Sequence, residues 1–181
     1  MILLNEGLSK LEQNKTMEIY RKASKGDADA QYNFGSDLIY GDGGEQDTVF
    51  GLNLYVMAAN QGHIDAQCSL GNAFFSGNGV ERNYEAALKW YTKAASQGDV
   101  DAQFSLGSMY YTGRGVEMNH VTALKWFAMA ADQGDASAQF SVGLTYYCGD
   151  CVEKNREVGL NWLTKAADQG HVHAKGILGS I

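Results

Sequence analysis

The sequence contains no proline, although it is 181 residues long and contains 22 glycines. Because proline interrupts helices by removing a backbone donor and by clashing with the preceding turn, its absence is typical of a mostly helical chain. Long apolar runs are also missing, since no stretch approaches the ~18 residues of a membrane-spanning helix. The start, MILLNEGLSK, lacks the basic segment and the apolar run of about 7–15 residues that a secretory signal needs. We therefore expect a cytoplasmic protein, with export that uses no cleavable signal left open.

Positive charge is scarce, because 14 lysines and arginines stand against 21 acidic residues and give a net charge of −7. No cluster of Lys and Arg could neutralise a row of phosphates, which disfavours binding to nucleic acids and to anionic membrane surfaces. Cysteine is also rare: Cys68, Cys148 and Cys151 are too few for a disulfide framework.

What the sequence has instead is a repeat. The glycines Gly26, Gly62, Gly98, Gly134 and Gly170 lie 36 residues apart, and each opens a similar phrase, from GDADAQ at the first to GHVHAK at the last. A fixed period of this length is typical of stacked helical repeats. We predict one repeat domain with an N-terminal cap, four units and a C-terminal half unit: 1–26, 27–62, 63–98, 99–134, 135–170 and 171–181.

Each unit is predicted to form two helices. The first, helix A, spans about 28–40, 64–76, 100–112 and 136–148, and its inward positions in the third unit are Ala102, Gln103, Leu106, Gly107 and Tyr110. A glycine recurs inside helix A although it costs roughly 0.5–1 kcal/mol relative to alanine, which predicts that the partner helix approaches closely there. The second, helix B, begins after an N-cap residue: Asp47, Asn83, Asn119 or Asn155.

The N-terminal cap is predicted to contain two short helices. Leu4, Leu8 and Leu11 share one helical face, and a second helix is expected from about Thr16 to Lys25. A terminal unit has no further neighbour, so its outer side must be polar.

The pattern of the units, AxxGDxxAQxxLGxxYxxGxGVxxNxxxALxWxxxAAxQG, closely resembles the Sel-one-like repeat (SLR) family, which is related to the tetratricopeptide repeats. The resemblance covers residues 23–179 and is carried most clearly by Ala94 to Gly98, Ala102-Gln103, Leu106-Gly107, Tyr110, Gly113 to Val116, Asn119, Ala123-Leu124, Trp126 and Ala130-Ala131. It implies an all-α fold: an α/α solenoid, a right-handed superhelix of four helix-turn-helix repeats with terminal capping helices. It also implies a non-catalytic adaptor that holds protein complexes together, in bacteria often in signalling, envelope regulation or host contact.

The outward face of helix A is where we expect a partner to bind. Its side chains are small, polar and nearly uncharged, so a peptide backbone could approach closely, although small residues could equally serve only to relieve crowding on the inner curve. An apolar stripe beside it, which includes Tyr32, Ile39 and Phe104, is either the seam between units or a wall of the groove. The predicted partner-binding residues are Asn33, Ser36, Tyr40, Asn72, Phe75, Ser108, Met109, Tyr111, Thr112, Leu144 and Tyr147.

The alternative to an interaction scaffold is a redox or metal-binding protein, or an enzyme, that uses the turn Cys148-Gly149-Asp150-Cys151. A CxxC pair can be redox-active or can supply half a zinc site. This pair stands alone, however, and His171 and His173 lie about one helix length away. We therefore predict no catalytic, cofactor-binding or metal-binding residue, no enzyme activity, a protein or peptide partner, and a monomer or weak homo-oligomer. We also expect His63 and His171 to mark solvent-facing helix starts.

Overall fold

The computed structural model describes residues 10–41 and 46–180, with side chains from Met17 onward. Within these ranges the chain is all-helical and contains no strand. None of the described helices is long and apolar enough to cross a membrane. The helices are α1 (Lys10–Ala23), α2 (Ala28–Tyr40), α3 (Thr48–Asn60), α4 (Ile64–Ser76), α5 (Tyr84–Ser96), α6 (Val100–Thr112), α7 (His120–Asp132), α8 (Ala136–Cys148), α9 (Arg156–Asp168) and α10 (Val172–Leu178).

The first helices of the four units, α2, α4, α6 and α8, have the bounds that the sequence predicts. The second helices, α3, α5, α7 and α9, each begin one residue after the predicted N-cap side chain. In α7, for example, the Asn119 side chain accepts a hydrogen bond from the backbone N–H of Thr122. Each unit is therefore a helix-turn-helix hairpin that local interactions define.

The N-terminal helix differs from the prediction. Helix α1 begins at Lys10, six residues before the expected start at Thr16. The predicted first helix of the cap, with Leu4 and Leu8, lies outside the described residues, as does the side chain of Leu11. Between Lys10 and Ala23 the sequence has no glycine or proline that would break the helix, so α1 continues through Thr16.

The chain divides into two compact units, residues 1–93 and 94–181. In the first unit, a core of buried residues that includes Leu52, Tyr55 and Leu70 is covered on one side by Trp90. In the second unit, Phe127 and Val142 belong to one core cluster, and Leu163 is fully buried in the next. The single repeat domain of the sequence analysis stays a prediction.

The glycines inside the first helices lie where the two helices of a hairpin touch. A Cβ added at Gly107 would lie 2.5 Å from the ring of Phe127, and one at Gly71 would lie 2.5 Å from the ring of Tyr91. At Gly35 the added atom would lie 2.8 Å from the backbone oxygen of Gly51. The predicted close approach is confirmed, and it accounts for a glycine that the helix alone would disfavour.

The starts of the helices at His63 and His171 are not solvent-facing, contrary to the expectation. Nδ1 of His63 accepts a hydrogen bond from the backbone N–H of Ala66 at 3.2 Å, so this histidine is the N-cap of α4. Its ring stacks on Tyr32 with the centroids 4.7 Å apart, and only 11% of the side chain is exposed. His171 caps α10 in the same way and stacks on Phe140 at 4.5 Å. Imidazole can do this because its unprotonated nitrogen accepts a hydrogen bond while its flat ring packs against an aromatic face.

Four buried glutamines connect consecutive repeats: Gln31, Gln67, Gln103 and Gln139. In the second unit, Nε2 of Gln103 donates to the backbone oxygen of Ala95 at 3.3 Å, and Oε1 of Gln103 accepts from Nε2 of Gln133 at 2.9 Å. Gln139 makes the equivalent bonds to Ala131 and Gln169. Because an amide offers both donors and an acceptor, one neutral side chain satisfies polar groups of two neighbouring helices.

Candidate partner-binding site

A cavity of about 390 Å³ lies between α6 and α8, within residues 94–181. Its walls are aromatic rings and one leucine, and its polar groups are hydroxyls, one thiol and one carboxylate. Helices α6 and α8 supply most of the lining, α7 supplies one aromatic ring, and the turn after α8 supplies the carboxylate. The lining residues are Phe104, Ser108, Tyr111, Thr112, Phe127, Phe140, Ser141, Leu144, Thr145, Cys148 and Asp150.

Four of the predicted partner-binding residues lie in this cavity: Ser108, Tyr111, Thr112 and Leu144. Tyr111 is the most exposed of the aromatic and aliphatic residues that line the cavity, with 47% of the residue exposed. On its inner side its ring stacks on His120, with the centroids 4.7 Å apart. The structure thus brings together residues from two different repeats that share the same side of helix A.

The prediction that Met109 lies on the partner-binding surface is wrong, because its side chain is fully buried. Its position lies between the outer and the packed side of helix A: the equivalent Ala73 is buried, and the equivalent Thr145 is half-buried. A long, flexible, apolar side chain at such a position is more stable when it turns inward.

Tyr147 is placed in the packing seam between helices. Its side chain packs against the core formed by Leu163 and Ala174. Its hydroxyl accepts a hydrogen bond from Nη2 of Arg156 at 2.9 Å, and the guanidinium lies over its ring at 5.0 Å. The apolar stripe therefore divides: Tyr111 lines a cavity, whereas Tyr147 is part of the seam.

The remaining predicted residues lie in the first unit. Tyr40 and Asn72 line a smaller cavity of about 90 Å³. Ser36 is half-buried, Asn33 is exposed, and Phe75 is half-buried against Tyr84 with the ring centroids 5.3 Å apart.

The smaller cavity occupies the same place as the larger one, two repeats earlier, and Tyr55 stands there in place of Phe127. The Tyr55 hydroxyl lies 2.8 Å from the hydroxyl of Ser36 and is also hydrogen-bonded to Ser69. Burial raises the pKa of Tyr55, so the group stays a neutral phenol. Ser108 and Ser141 are the equivalents of these two serines. Phe127 has no hydroxyl to place between them, and all three residues line the larger cavity.

Two residues of the larger cavity, Phe127 and Asp150, do not belong to the helix A face on which the sequence predicts partner binding. Phe127 is 6% exposed and belongs to helix B, whereas the sequence predicts partner binding on helix A. Comparison of the repeats could have pointed to Phe127, because the equivalent residues Tyr55 and Tyr91 both carry a hydroxyl that Phe127 lacks. Asp150 lies in the turn after helix A, at the position that Asn78 occupies in the second repeat, and the sequence predicts only a turn there.

Asp150 supplies the negative charge of the cavity. Its carboxylate oxygens lie 3.4 Å from Nδ1 of His120, and 45% of its side chain is exposed. In the part of the chain that the structure describes, no lysine or arginine forms an ion pair with it. The carboxylate can therefore accept hydrogen bonds from a bound group.

Cys148 and Cys151 are both free and exposed. Partial burial and the neighbouring carboxylate of Asp150 raise the pKa of Cys151 above the usual value for a thiol. Cys151 also adopts a left-handed φ of 56°, where the second and third repeats have Gly79 and Gly115. Within residues 10–41 and 46–180, no three His, Cys, Asp or Glu side chains are arranged to hold a metal ion. These features do not favour the redox or metal-binding alternative.

A thiol of raised pKa should react slowly at neutral pH, because the thiolate is the nucleophile. In a Cys148→Ser variant, Cys151 is the one exposed thiol among the described residues, since Cys68 is buried. We expect iodoacetamide to alkylate it more slowly at pH 7 than it alkylates N-acetylcysteine, with the rate increasing as the pH rises past the pKa of the free thiol. Mass spectrometry between pH 6 and 10 gives the rates. A faster reaction than that of the free thiol would indicate an activated cysteine and support the redox alternative.

The comparisons with known proteins agree with this architecture. The family model described as Sel1 repeat matches residues 28–63, 64–99, 100–135 and 136–171. Among curated proteins, none is significantly similar to the chain. A protective antigen with an SLR fold, present in uropathogenic Escherichia coli strains, is 36% identical, with a TM-score of 0.88 over 91% of this chain. The present chain spans only 35% of that protein's length.

A Sel1 repeat protein from Oxalobacter formigenes is 32% identical, with a TM-score of 0.86, and the match covers 97% of this chain and 71% of that protein. The cysteine-rich protein B of Helicobacter pylori shares the fold at 20% identity and a TM-score of 0.57, covering 74% of this chain and 97% of the other. Four consecutive segments of the chain match this one repeat model, and their hairpins share its caps, turns and contact glycines. The chain therefore belongs to the Sel1 repeat family.

Proposed function

We propose that this protein is a non-catalytic scaffold that binds a protein or peptide partner on the face formed by the first helices of its repeats. We propose further that it acts in the cytoplasm as a monomer or weak homo-oligomer. Sel1 repeat proteins are generally protein-interaction scaffolds and are typically not enzymes. The observation that supports the proposal for this chain is the cavity between α6 and α8, which lies on that face.

The positions that hold the same kind of residue in every repeat have structural roles. Ala102 and Leu106 are fully buried, Gln103 connects two helices, Gly107 allows the hairpin to close, and Asn119 caps a helix. With these positions used for packing and capping, recognition depends on the residues that vary between repeats.

The residues that vary are the ones that line the cavity. Where the third repeat has Ser108, the first has Ser36, the second Asn72 and the fourth Leu144. An aromatic side chain at the edge of an apolar cavity, such as Tyr111, is typical of the residues that contribute most to protein–protein affinity. Hydroxyls beside it can form hydrogen bonds with polar groups of a partner.

Two variants of matched exposure test this proposal. Tyr111 on α6 is 47% exposed and Met129 on α7 is 45% exposed, so Tyr111→Ala and Met129→Ala remove similar apolar areas from the two sides of one hairpin. We expect proteins that the wild-type chain retains from an extract of its source cells to be lost with Tyr111→Ala and kept with Met129→Ala. Partner binding should fall about 10-fold or more, as for an aromatic residue at the centre of an interface.

Thermal unfolding of both variants must first show that they remain folded. Loss of the partners with Met129→Ala alone would move the interface to the second helices. Equal retention by all three proteins would contradict the proposed face. Light scattering of the purified chain gives its oligomeric state.

A further inference from the structure

We propose that the cavity between α6 and α8 receives an arginine side chain of the partner protein, with the guanidinium against the aromatic walls and its N–H groups donating to Asp150 and to the hydroxyls of the cavity. This inference rests on the proposed function, because it names the group by which a partner would be held at that surface.

The polar groups inside the cavity are mainly acceptors. Thr112 donates its hydroxyl hydrogen to the backbone oxygen of Ser108 at 2.8 Å, and Thr145 donates to that of Ser141 at 2.9 Å. The Ser141 hydroxyl is likewise used, in a bond of 2.8 Å to the oxygen of Ser137. A hydroxyl that has donated its hydrogen still has free lone pairs, and an ionised carboxylate such as Asp150 can only accept. A group that brings several donors therefore fits these acceptors.

The walls of the cavity are suited to a flat cation. Phe104, Tyr111, Phe127 and Phe140 present four aromatic rings to the space. A cation over such a ring is attracted by its negative face, most often in the form of a guanidinium. Arginine combines a flat surface with five N–H donors and no acceptor, whereas the ammonium of lysine is compact and strongly hydrated.

Cation–ring contacts already exist inside the protein, with lysine (Lys165 lies over the ring of Trp162 at 4.1 Å) as well as with arginine. Arg156 lies over the ring of Tyr147 at 5.0 Å and donates to its hydroxyl at 2.9 Å. In the first unit, Arg82 lies over Tyr84 at 5.6 Å. The net charge of −7 adds a general attraction for a basic partner.

The first unit provides a natural comparison, because its equivalent cavity lacks both features on which the inference depends. The Tyr55 hydroxyl fills the space between Ser36 and Ser69, and the neutral Asn78 stands where the second unit has Asp150. We therefore expect arginine to bind in the second unit and not at the equivalent place in the first.

The experiment uses the whole chain, labelled with ¹⁵N, and a small probe, N-acetyl-arginine methylamide, followed by NMR. We expect saturable shifts of the backbone amides of Ser108, Ser141 and Asp150, with a dissociation constant of about millimolar size for one side chain. The citrulline analogue, which is nearly isosteric and neutral, should bind about 10-fold more weakly. The lysine analogue should also bind more weakly than the arginine probe.

Two variants copy residues that the first unit already carries. Phe127→Tyr should place a hydroxyl between Ser108 and Ser141, as Tyr55 does, and should abolish the shifts while the protein stays folded. Asp150→Asn copies Asn78 at an exposed turn and should weaken binding about 3- to 5-fold, the loss expected for a partly solvated ion pair. The arginine probe should also slow alkylation of Cys148, which lines the cavity, more than alkylation of Cys151.

Equal binding of the citrulline analogue, or unchanged binding to Phe127→Tyr, would overturn the inference, and so would shifts confined to other residues. An absence of binding combined with loss of partners by Tyr111→Ala would refute the arginine anchor and leave the proposed interaction face standing. Retention of all partners by Tyr111→Ala would contradict the proposed face, whatever the probe does.

Discussion

Replacing Gln103 by glutamate is expected to lower the free energy of unfolding at pH 7 by about 3 kcal/mol or more, although the two side chains have nearly the same shape. The amide Nε2 that donates to the backbone oxygen of Ala95 becomes a carboxylate oxygen, so two acceptors face each other at a site that is 2% exposed. Burial of an unpaired charge adds to the lost hydrogen bond. Urea denaturation, with the slope compared between variants, gives the difference.

The penalty should depend on pH. Burial and the facing carbonyl both disfavour the ionised form, so the pKa of the new glutamate is raised in the folded state above its unfolded value of about 4.3. The protonated acid can donate to Ala95. Stability is therefore expected to recover as the pH falls toward about 4 and to be lost as the pH rises through the folded-state pKa.

Gln133→Glu is the matched control, because Gln133 belongs to the same pair of side chains but is exposed. This substitution should lower the free energy of unfolding by about 1 kcal/mol, because it removes hydrogen bonds but buries no charge. Equal effects of the two substitutions would show that the buried glutamine stabilises the fold no more than a surface hydrogen bond does.

The second prediction is that replacing Gly159 by alanine lowers the free energy of unfolding. Helix propensity alone would predict an increase. The second and third repeats carry Ala87 and Ala123 at this position, so alanine resembles a stabilising consensus choice worth up to about 1 kcal/mol. In the fourth repeat, however, an added Cβ would lie 2.6 Å from the backbone nitrogen of Tyr147 and 2.8 Å from its Cα. Backbone atoms cannot rotate away as a side chain can, so we expect the free energy of unfolding to fall by about 1–3 kcal/mol.

Gly176→Ala is the control for helix propensity. Gly176 lies in α10, and an added Cβ there meets no atom within 4 Å, so this variant should gain about 0.4–1 kcal/mol. Both variants are compared with the wild type by urea denaturation. A stable Gly159→Ala protein would mean that α8 and α9 can separate without loss, which would weaken the account of the recurring glycines.

The helices and their ends could be predicted from the sequence because they depend on interactions within a few residues. The cap at Asn119 needs only the N–H of Thr122, three residues later. The glycine after α7, Gly134, has a φ of 101°, which a residue with a side chain would rarely adopt. Repetition at a period of 36 residues made each such feature visible several times.

The candidate site was predicted only in part. Ser108 and Leu144 were found because helical periodicity assigns them to the outer side of helix A. Phe127 was missed because it belongs to the other helix, and Met109 was misplaced because its side chain turns inward. The aromatic residues Tyr111 and Tyr147 occupy the same position in successive repeats, yet one lines a cavity and the other packs in a core.

By itself the sequence determined that the chain is a series of helical hairpins, where the first helices of the repeats begin and end, and that cysteines and clustered positive charge are scarce. Only the tertiary structure decided where the hairpins leave space. A cavity depends on which side chains meet across helices. Tyr55 places a hydroxyl between Ser36 and Ser69 in the smaller cavity, whereas Phe127 places none between Ser108 and Ser141 in the larger one. The position of a residue within the repeat determines its backbone conformation. The packing of neighbouring side chains determines which of them are exposed for a partner to bind.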